Sequence, residues 1–193
     1  LVISITAIGI ADNDKILLRS GAKPAELICS TGYLGLSGAG YYALKNQRAT
    51  DKRKFAKSIK HHRAPDILSL ADARLISRSA ASAMDNSDGL YTTIYTICKK
   101  SAVGCEVYFD KLPVHSEVLK FSDRYNIDIE KLINFGEDFN LIFTIPNEKV
   151  FFKLADSIEN IKIIGRTTSD GKLRIIKNNR FYPLKNSGFV HNV

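Results

Sequence analysis

A chain of 193 residues, 45% hydrophobic and 25% charged, is long enough for one substantial core with or without an appendage, and its composition is that of an ordinary globular protein. No uncharged apolar run approaches the roughly 18 residues that a membrane span needs, and no signal-peptide pattern is present, so a cytoplasmic protein is expected. Net charge is +8, and much of it lies between Lys45 and Arg63, where eight basic residues face the single acid Asp51. Such a run either binds a polyanion or forms a solvated helix face, and without an aromatic platform or zinc-finger spacing it argues against nucleic acid.

Leu1 opens directly into a strong strand pattern over residues 2–9 with no lead-in, so the chain is expected to be a piece of a longer protein. Ala11-Asp12-Asn13-Asp14 is a turn before Lys15 to Leu18. In the loop Arg19-Ser20-Gly21-Ala22-Lys23-Pro24, Arg19 can form a bidentate fork to a phosphate, though the same stretch serves equally as a surface turn. Glu26 to Thr31 is a buried strand. Gly35 to Lys45 is a helix whose small residues permit close approach of a neighbouring backbone or a ligand. His61-His62, inside the basic run, reads as solvated. After Pro65, Asp66 is the expected cap of a helix carrying Ile67, Leu68, Leu70, Ala71, Leu75 and Ile76.

Ser82-Ala83-Met84-Asp85-Asn86-Ser87-Asp88-Gly89-Leu90 reads as a strand end, a turn and a helix start. It places the carboxylates of Asp85 and Asp88 and the hydroxyl of Ser87 at a helix entrance. A helix N-terminus suits phosphate, whereas paired acids repel phosphate unless a divalent cation lies between. The pattern therefore fits a metal and nucleotide-phosphate site, or Asp88 or Ser87 simply caps the helix.

A helix over Gly89 to Ser101, a strand over Cys105 to Phe109, and helices over Val114 to Tyr125 and Asp128 to Phe135 follow. Gly136-Glu137-Asp138-Phe139 then precedes the strand Leu141 to Ile145. Its two acids belong either at a sheet edge or cleft, or in a solvated turn. Asn147 caps the next helix, Ile161 to Gly165 is a strand, and Asn178-Asn179 turns a hairpin between residues 172–176 and 180–184. Cys29, Cys98 and Cys105 show no CxxC spacing and are expected as buried reduced thiols.

Taken in order, six segments resemble the thiamine-monophosphate kinase family of the aminoimidazole-ribonucleotide-synthetase-like superfamily. They are Ile3 to Gly9, Arg19 to Pro24, Thr31 to Gly35, Met84 to Leu90, Gly136 to Thr144, and Ile164 to Arg166. The resemblance implies an enzyme that uses ATP and magnesium to convert thiamine monophosphate to thiamine diphosphate. On it, Asp85 and Asp88 match magnesium ligands, Arg19 and Ser87 match ATP contacts, and Glu137 and Phe189 match substrate contacts. It also implies an α+β fold, the superfamily's C-terminal domain, with a mixed or antiparallel sheet under covering helices in residues 21–193. Residues 1–20 would be the tail of an N-terminal ATP-binding domain, contributing one strand. That strand joins a barrel across a homodimer in the family, so a homodimer is expected, and the isolated chain is expected to be inactive. Asn86, Asn140 and Val190 depart from the family pattern, which has a branched apolar residue, a glutamate and an aspartate there. Other enzymes of the superfamily, purine-pathway synthetases or hydrogenase-maturation proteins, share the outline.

Overall fold

Residues 3–6, 8–10, 16–45 and 49–186 are described by the computed structural model, residues 49–51 through their main chain only. The strands β1 (Leu27–Thr31), β2 (Ser82–Asp85), β3 (Gly104–Tyr108), β4 (Leu141–Ile145), β5 (Ile161–Thr168), β6 (Leu173–Lys177) and β7 (Arg180–Pro183) form one open sheet in the order β2-β4-β1-β5-β3-β6-β7. Neighbours are antiparallel except β3 and β6, which run parallel, so the sheet is mixed as expected.

The central strands read as unbroken apolar runs because both faces of the sheet are covered. Ile28, Met84, Ile142 and Ile164 point to one face, where α5 (Leu90–Ser101) lays Leu90, Ile94, Ile97 and Cys98 against them. Cys29, Ala83 and Phe143 point to the other, under Ile76 of α4 (Leu70–Ser77) and Leu154 of α8 (Glu148–Ala155). Each such large side chain removed from water contributes about 1.5–3 kcal/mol. A third, purely helical core joins α1 (Leu36–Lys45), α3 (Ala56–Arg63), α6 (Ser116–Tyr125) and α7 (Ile129–Ile133) around Phe55, Phe121 and Leu132.

The basic run folds as the short α2 (Ala49–Lys54) and α3. Lys52, Arg53, Lys54, Lys57, Lys60 and Arg63 are exposed, the solvated face that the sequence allowed. The histidines depart from expectation, because the same helix turns Phe55, Ser58, Ile59 and His61 inward, and His61 is buried. The small residues of α1 admit a backbone and not a ligand: a Cβ on Gly40 would stand 2.2 Å from the Ser58 carbonyl oxygen.

Three expectations are corrected. Residues 3–6 and 8–10 pair with no strand among the described residues, and Ile3, Ile5, Ile8 and Ile10 are left exposed. Helix α4 starts later than Asp66 because Ser69 takes the capping place, its Oγ accepting from the Asp72 N–H at 3.1 Å and donating to the Asp72 carboxylate at 2.8 Å. Finally, neither Ser87 nor Asp88 caps α5, whose N-cap is Gly89. The hairpin turn conforms, with Asn178 and Asn179 both at positive φ. The three cysteines are buried and unpaired, and burial pushes the Cys29 thiol up to about 12, which leaves it inert.

Candidate active site

Strand β2 lies at one edge of the sheet and ends at Asp85. The main chain of residue 18 runs along that edge, its carbonyl accepting from the Ala83 N–H at 2.9 Å. This contact sets Arg19 beside the strand that delivers Asp85. Both residues line one groove of about 700 Å³, together with Leu17, Met84, Lys100 and Leu141.

Beyond Asp85 the chain turns through Asn86, Ser87 and Asp88 into α5. Gly89 has φ +96°, and a Cβ there would lie 2.5 Å from the Asn134 carbonyl oxygen, so only glycine fits. Asn134 supplies the cap that Ser87 and Asp88 do not, its Oδ1 accepting from the Tyr91 N–H at 2.8 Å. The turn is thereby relieved of capping. Among the described residues, the carboxylates of Asp85 and Asp88, the Ser87 hydroxyl and the Arg19 guanidinium make no hydrogen bond or ion pair. The two acids and the serine are half-buried, and Arg19 is exposed.

The 136–140 loop closes on this turn. The Glu137 N–H donates to the Ser87 carbonyl at 2.8 Å, and the Asn86 N–H donates to the Asn140 carbonyl at 2.7 Å. Gly136 sits so close to Ser87 that a Cβ would meet its carbonyl oxygen at 2.3 Å. Glu137 is exposed, and its neighbour Asp138 is completely buried. The structure thus brings together Asp85, Ser87, Asp88 and Glu137, with Arg19 along the groove from Asp85. Phe189 lies outside the described residues.

Sequence reasoning missed the means by which the 136–139 loop is held. The two oxygens of Asp138 accept from the Gly35 N–H at 2.6 Å and the Ser37 N–H at 2.8 Å, at the start of α1. Burial raises its pKa to about 7 against the pull of these two amides. His61 of α3 reaches the same residue, Nε2 lying 3.2 Å from the Asp138 carbonyl oxygen. The signal for Asp138 was present in an acid placed directly before a core strand. The signal for His61 was the helical spacing of Phe55, Ser58 and His61, masked by the surrounding lysines and arginines.

The two departures at Asn86 and Asn140 are both buried. Asn140 Nδ2 donates to the Tyr33 carbonyl at 2.6 Å, whereas Asn86 Nδ2 has no partner among the described residues.

As a metal site, the turn offers two unpaired carboxylates, and no group of three or more His, Cys, Asp or Glu side chains among the described residues is arranged to hold an ion. That donor set fits magnesium, which keeps waters and substrate phosphate oxygens and takes one or two protein carboxylates, and does not fit zinc or an all-protein calcium cage.

An open mixed sheet with helices on both faces, carrying at its edge two acids that are unpaired among the described residues, defines an α+β domain. The family model described as "AIR synthase related protein, C-terminal domain" matches residues 15–178, and the chain belongs to that family. It is 32% identical over 198 residues to the thiamine-monophosphate kinase of Buchnera aphidicola subsp. Schizaphis graminum, covering 99% of this chain and 60% of that relative. The solved structure "AaThiL complexed with AMPPCP and TMP" superposes with a TM-score of 0.78 at 25% identity, over 91% of this chain and 54% of that one. The hydrogenase maturation protein HypE of E. coli gives a TM-score of 0.68 at 16% identity over 88% of this chain and 52% of its own, a likeness of fold alone. The chain therefore spans little more than half the length of the relatives it matches.

Proposed function

We propose that this chain is the C-terminal part of an enzyme that transfers the γ-phosphoryl group of ATP to thiamine monophosphate, giving thiamine diphosphate and ADP. The observation that carries the reading is the pair of carboxylates, Asp85 and Asp88, which have no partner among the described residues and lie on a turn that is capped by Asn134 instead. Similarity to thiamine-monophosphate kinases over nearly the whole chain supports it.

The acceptor is a phosphate oxygen already ionised at neutral pH, so the reaction needs no strong general base. A P–O bond forms to that oxygen while the bond from the γ-phosphorus to the β,γ-bridging oxygen breaks, and ADP leaves with the electron pair. The obstacle is the mutual repulsion of two polyanions. Magnesium bound at Asp85 and Asp88 would neutralise phosphate charge and align the phosphates in line. Arg19, along the groove from Asp85, is placed to fork a nucleotide phosphate, and Ser87 to donate its hydroxyl to one. Glu137, tied to Ser87 through the main chain, is an exposed acid suited to the cationic substrate, and Phe189 completes that contact by resemblance.

Two carboxylates make half a metal site, so the remaining ligands come from an N-terminal domain whose tail is residues 1–20, with residues 21–193 as the catalytic partner domain. The family match, residues 15–178, falls mostly in the second of these segments. Ile3, Ile5, Ile8 and Ile10, all highly exposed here, form the surface on which a second copy pairs to make a homodimer. Among the described residues no helix is long and apolar enough to cross a membrane, in keeping with a cytoplasmic enzyme.

Asp85→Asn or Asp88→Asn in the full-length enzyme is expected to lower turnover by at least about a hundredfold while leaving the fold intact. A rate and magnesium dependence unchanged in both variants would refute the assignment. The same assay separates this reading from another superfamily enzyme, which turns over no thiamine monophosphate.

A further inference from the structure

The loop that carries Glu137 is held in an unfavourable shape. Glu137 has φ +61° and Phe139 φ +53°, two non-glycine residues in the left-handed region flanking Asp138. Such a conformation persists in a non-glycine residue only where the surroundings impose it. The main chain on either side is tied to the 86–87 turn, and between those ties the side-chain contacts converge on Asp138. Its carboxylate is fixed by the two amides at the start of α1, and its own carbonyl accepts from His61. A carbonyl only accepts, so His61 carries its proton on Nε2 and its Nδ1 is a bare acceptor. That atom is buried with no partner among the described residues, and burial lowers the pKa of the ring, so the neutral tautomer is the form that fits.

His61 is itself held in place. The Ser58 N–H and O–H donate to the Glu117 carboxylate of α6 at 2.9 and 2.8 Å, which anchors α3 one turn before the histidine. The next residue, His62, bonds through Nδ1 to the Ser37 hydroxyl at 2.8 Å, fastening α3 to the α1 start that also binds Asp138. A continuous chain of contacts therefore runs from the basic helix α3 through His61 and Asp138 to Glu137, and from the Glu137 N–H to Ser87.

We infer that His61 and Asp138 are positioning residues: through the Asp138 carbonyl and carboxylate they hold the 136–139 loop in its left-handed shape and so seat Glu137 against Ser87 for substrate binding. The binding half of this statement rests on the reading of Glu137 as a substrate contact; the seating half rests on geometry alone. It also gives the basic helical arm a role that its charge does not suggest, since the residue it contributes is neutral and buried.

The test compares His61→Leu, which fills the space without a donor, with His61→Gln, whose amide can still donate to the Asp138 carbonyl. Amide hydrogen exchange is read at Glu137 and at Phe143 in the centre of β4. The Leu variant is expected to speed exchange at Glu137 at least tenfold with Phe143 changed less than twofold, and the Gln variant to stay within threefold of the native chain at both. Equal acceleration at the two amides, no acceleration at either, or a Gln variant that behaves like Leu would overturn the inference. Asp138→Asn, which disturbs one of the two amide bonds and leaves the His61 contact, gives a second reading with the same expected locality should the Leu variant not fold. Affinity for thiamine monophosphate is measured alongside, with Glu137→Gln as the reference. If Glu137→Gln binds as tightly as the native chain, the substrate reading of Glu137 fails, and the exchange data still decide the positioning.

Discussion

Two buried polar residues near the site exert opposite demands on the fold. Asn86 contributes an amide nitrogen with no partner among the described residues, and its side chain is wholly buried. Leaving such a group unsatisfied costs about 1–3 kcal/mol. Asn86→Val is therefore expected to raise stability by about 1 kcal/mol, the lost volume offsetting part of the gain, as a shift of the urea midpoint to higher concentration. Asp138 shapes the pH dependence. Its folded pKa is about 7 against 3.8 for the free side chain, so between these values the folded protein holds a proton that the unfolded chain has released. Stability gained from that proton is present below about pH 4 and is lost as pH rises towards 7, a change of about 2–4 kcal/mol. His61, whose pKa is lowered by burial, works in the opposite sense below pH 6.5. Comparison with Asp138→Asn isolates the carboxyl: the stability advantage of the native chain over this variant should be larger at pH 4.5 than at pH 8, in urea titrations at the two values.

At the level of elements, the site is a meeting of two loops that only glycine allows. Gly136 has φ +87°, and a Cβ there would overlap the Ser87 carbonyl. Gly136→Ala is expected to cost at least about 2 kcal/mol and to weaken binding of thiamine monophosphate, measured by denaturation and calorimetry on the same preparation. The strand-turn-helix around Asp85 was legible because its apolar lead-in, acids and glycine change period within a few residues. So was the hairpin at Asn178-Asn179, where two residues that tolerate positive φ adjoin. The cap of α5 was not legible: Asn134 lies 43 residues from the N–H it accepts, and no local pattern announces so distant a partner. For the same reason Ser87 and Asp88 looked like caps, although neither carries that duty. The strand expected over 2–9 is not formed by its described residues, 3–6 and 8–9, whose isoleucines have the propensity of a strand but find no pairing partner among the described residues.

For the whole molecule, the sheet places its edge strand, and with it Asp85, Arg19 and the open groove, on one side. The core lies elsewhere, under α5 on one face, under α4 and α8 on the other, and among α1, α3, α6 and α7. Substitutions at the site should therefore separate activity from stability, because Asp85 and Asp88 make no contact among the described residues that folding requires. The basic arm, by contrast, was half legible. Its charge was plain in composition, while the inward turn of His61 emerges only once α1 gives α3 a surface to pack against. The central claim is that this edge completes a thiamine-monophosphate kinase site. It is tested most directly by incubating the full-length enzyme with ATP, magnesium and thiamine monophosphate and following thiamine diphosphate by chromatography. Product is expected to form one for one with ADP, and chelation of magnesium or Asp85→Asn to abolish it. ADP formed without thiamine diphosphate, or product formation indifferent to both treatments, would contradict it.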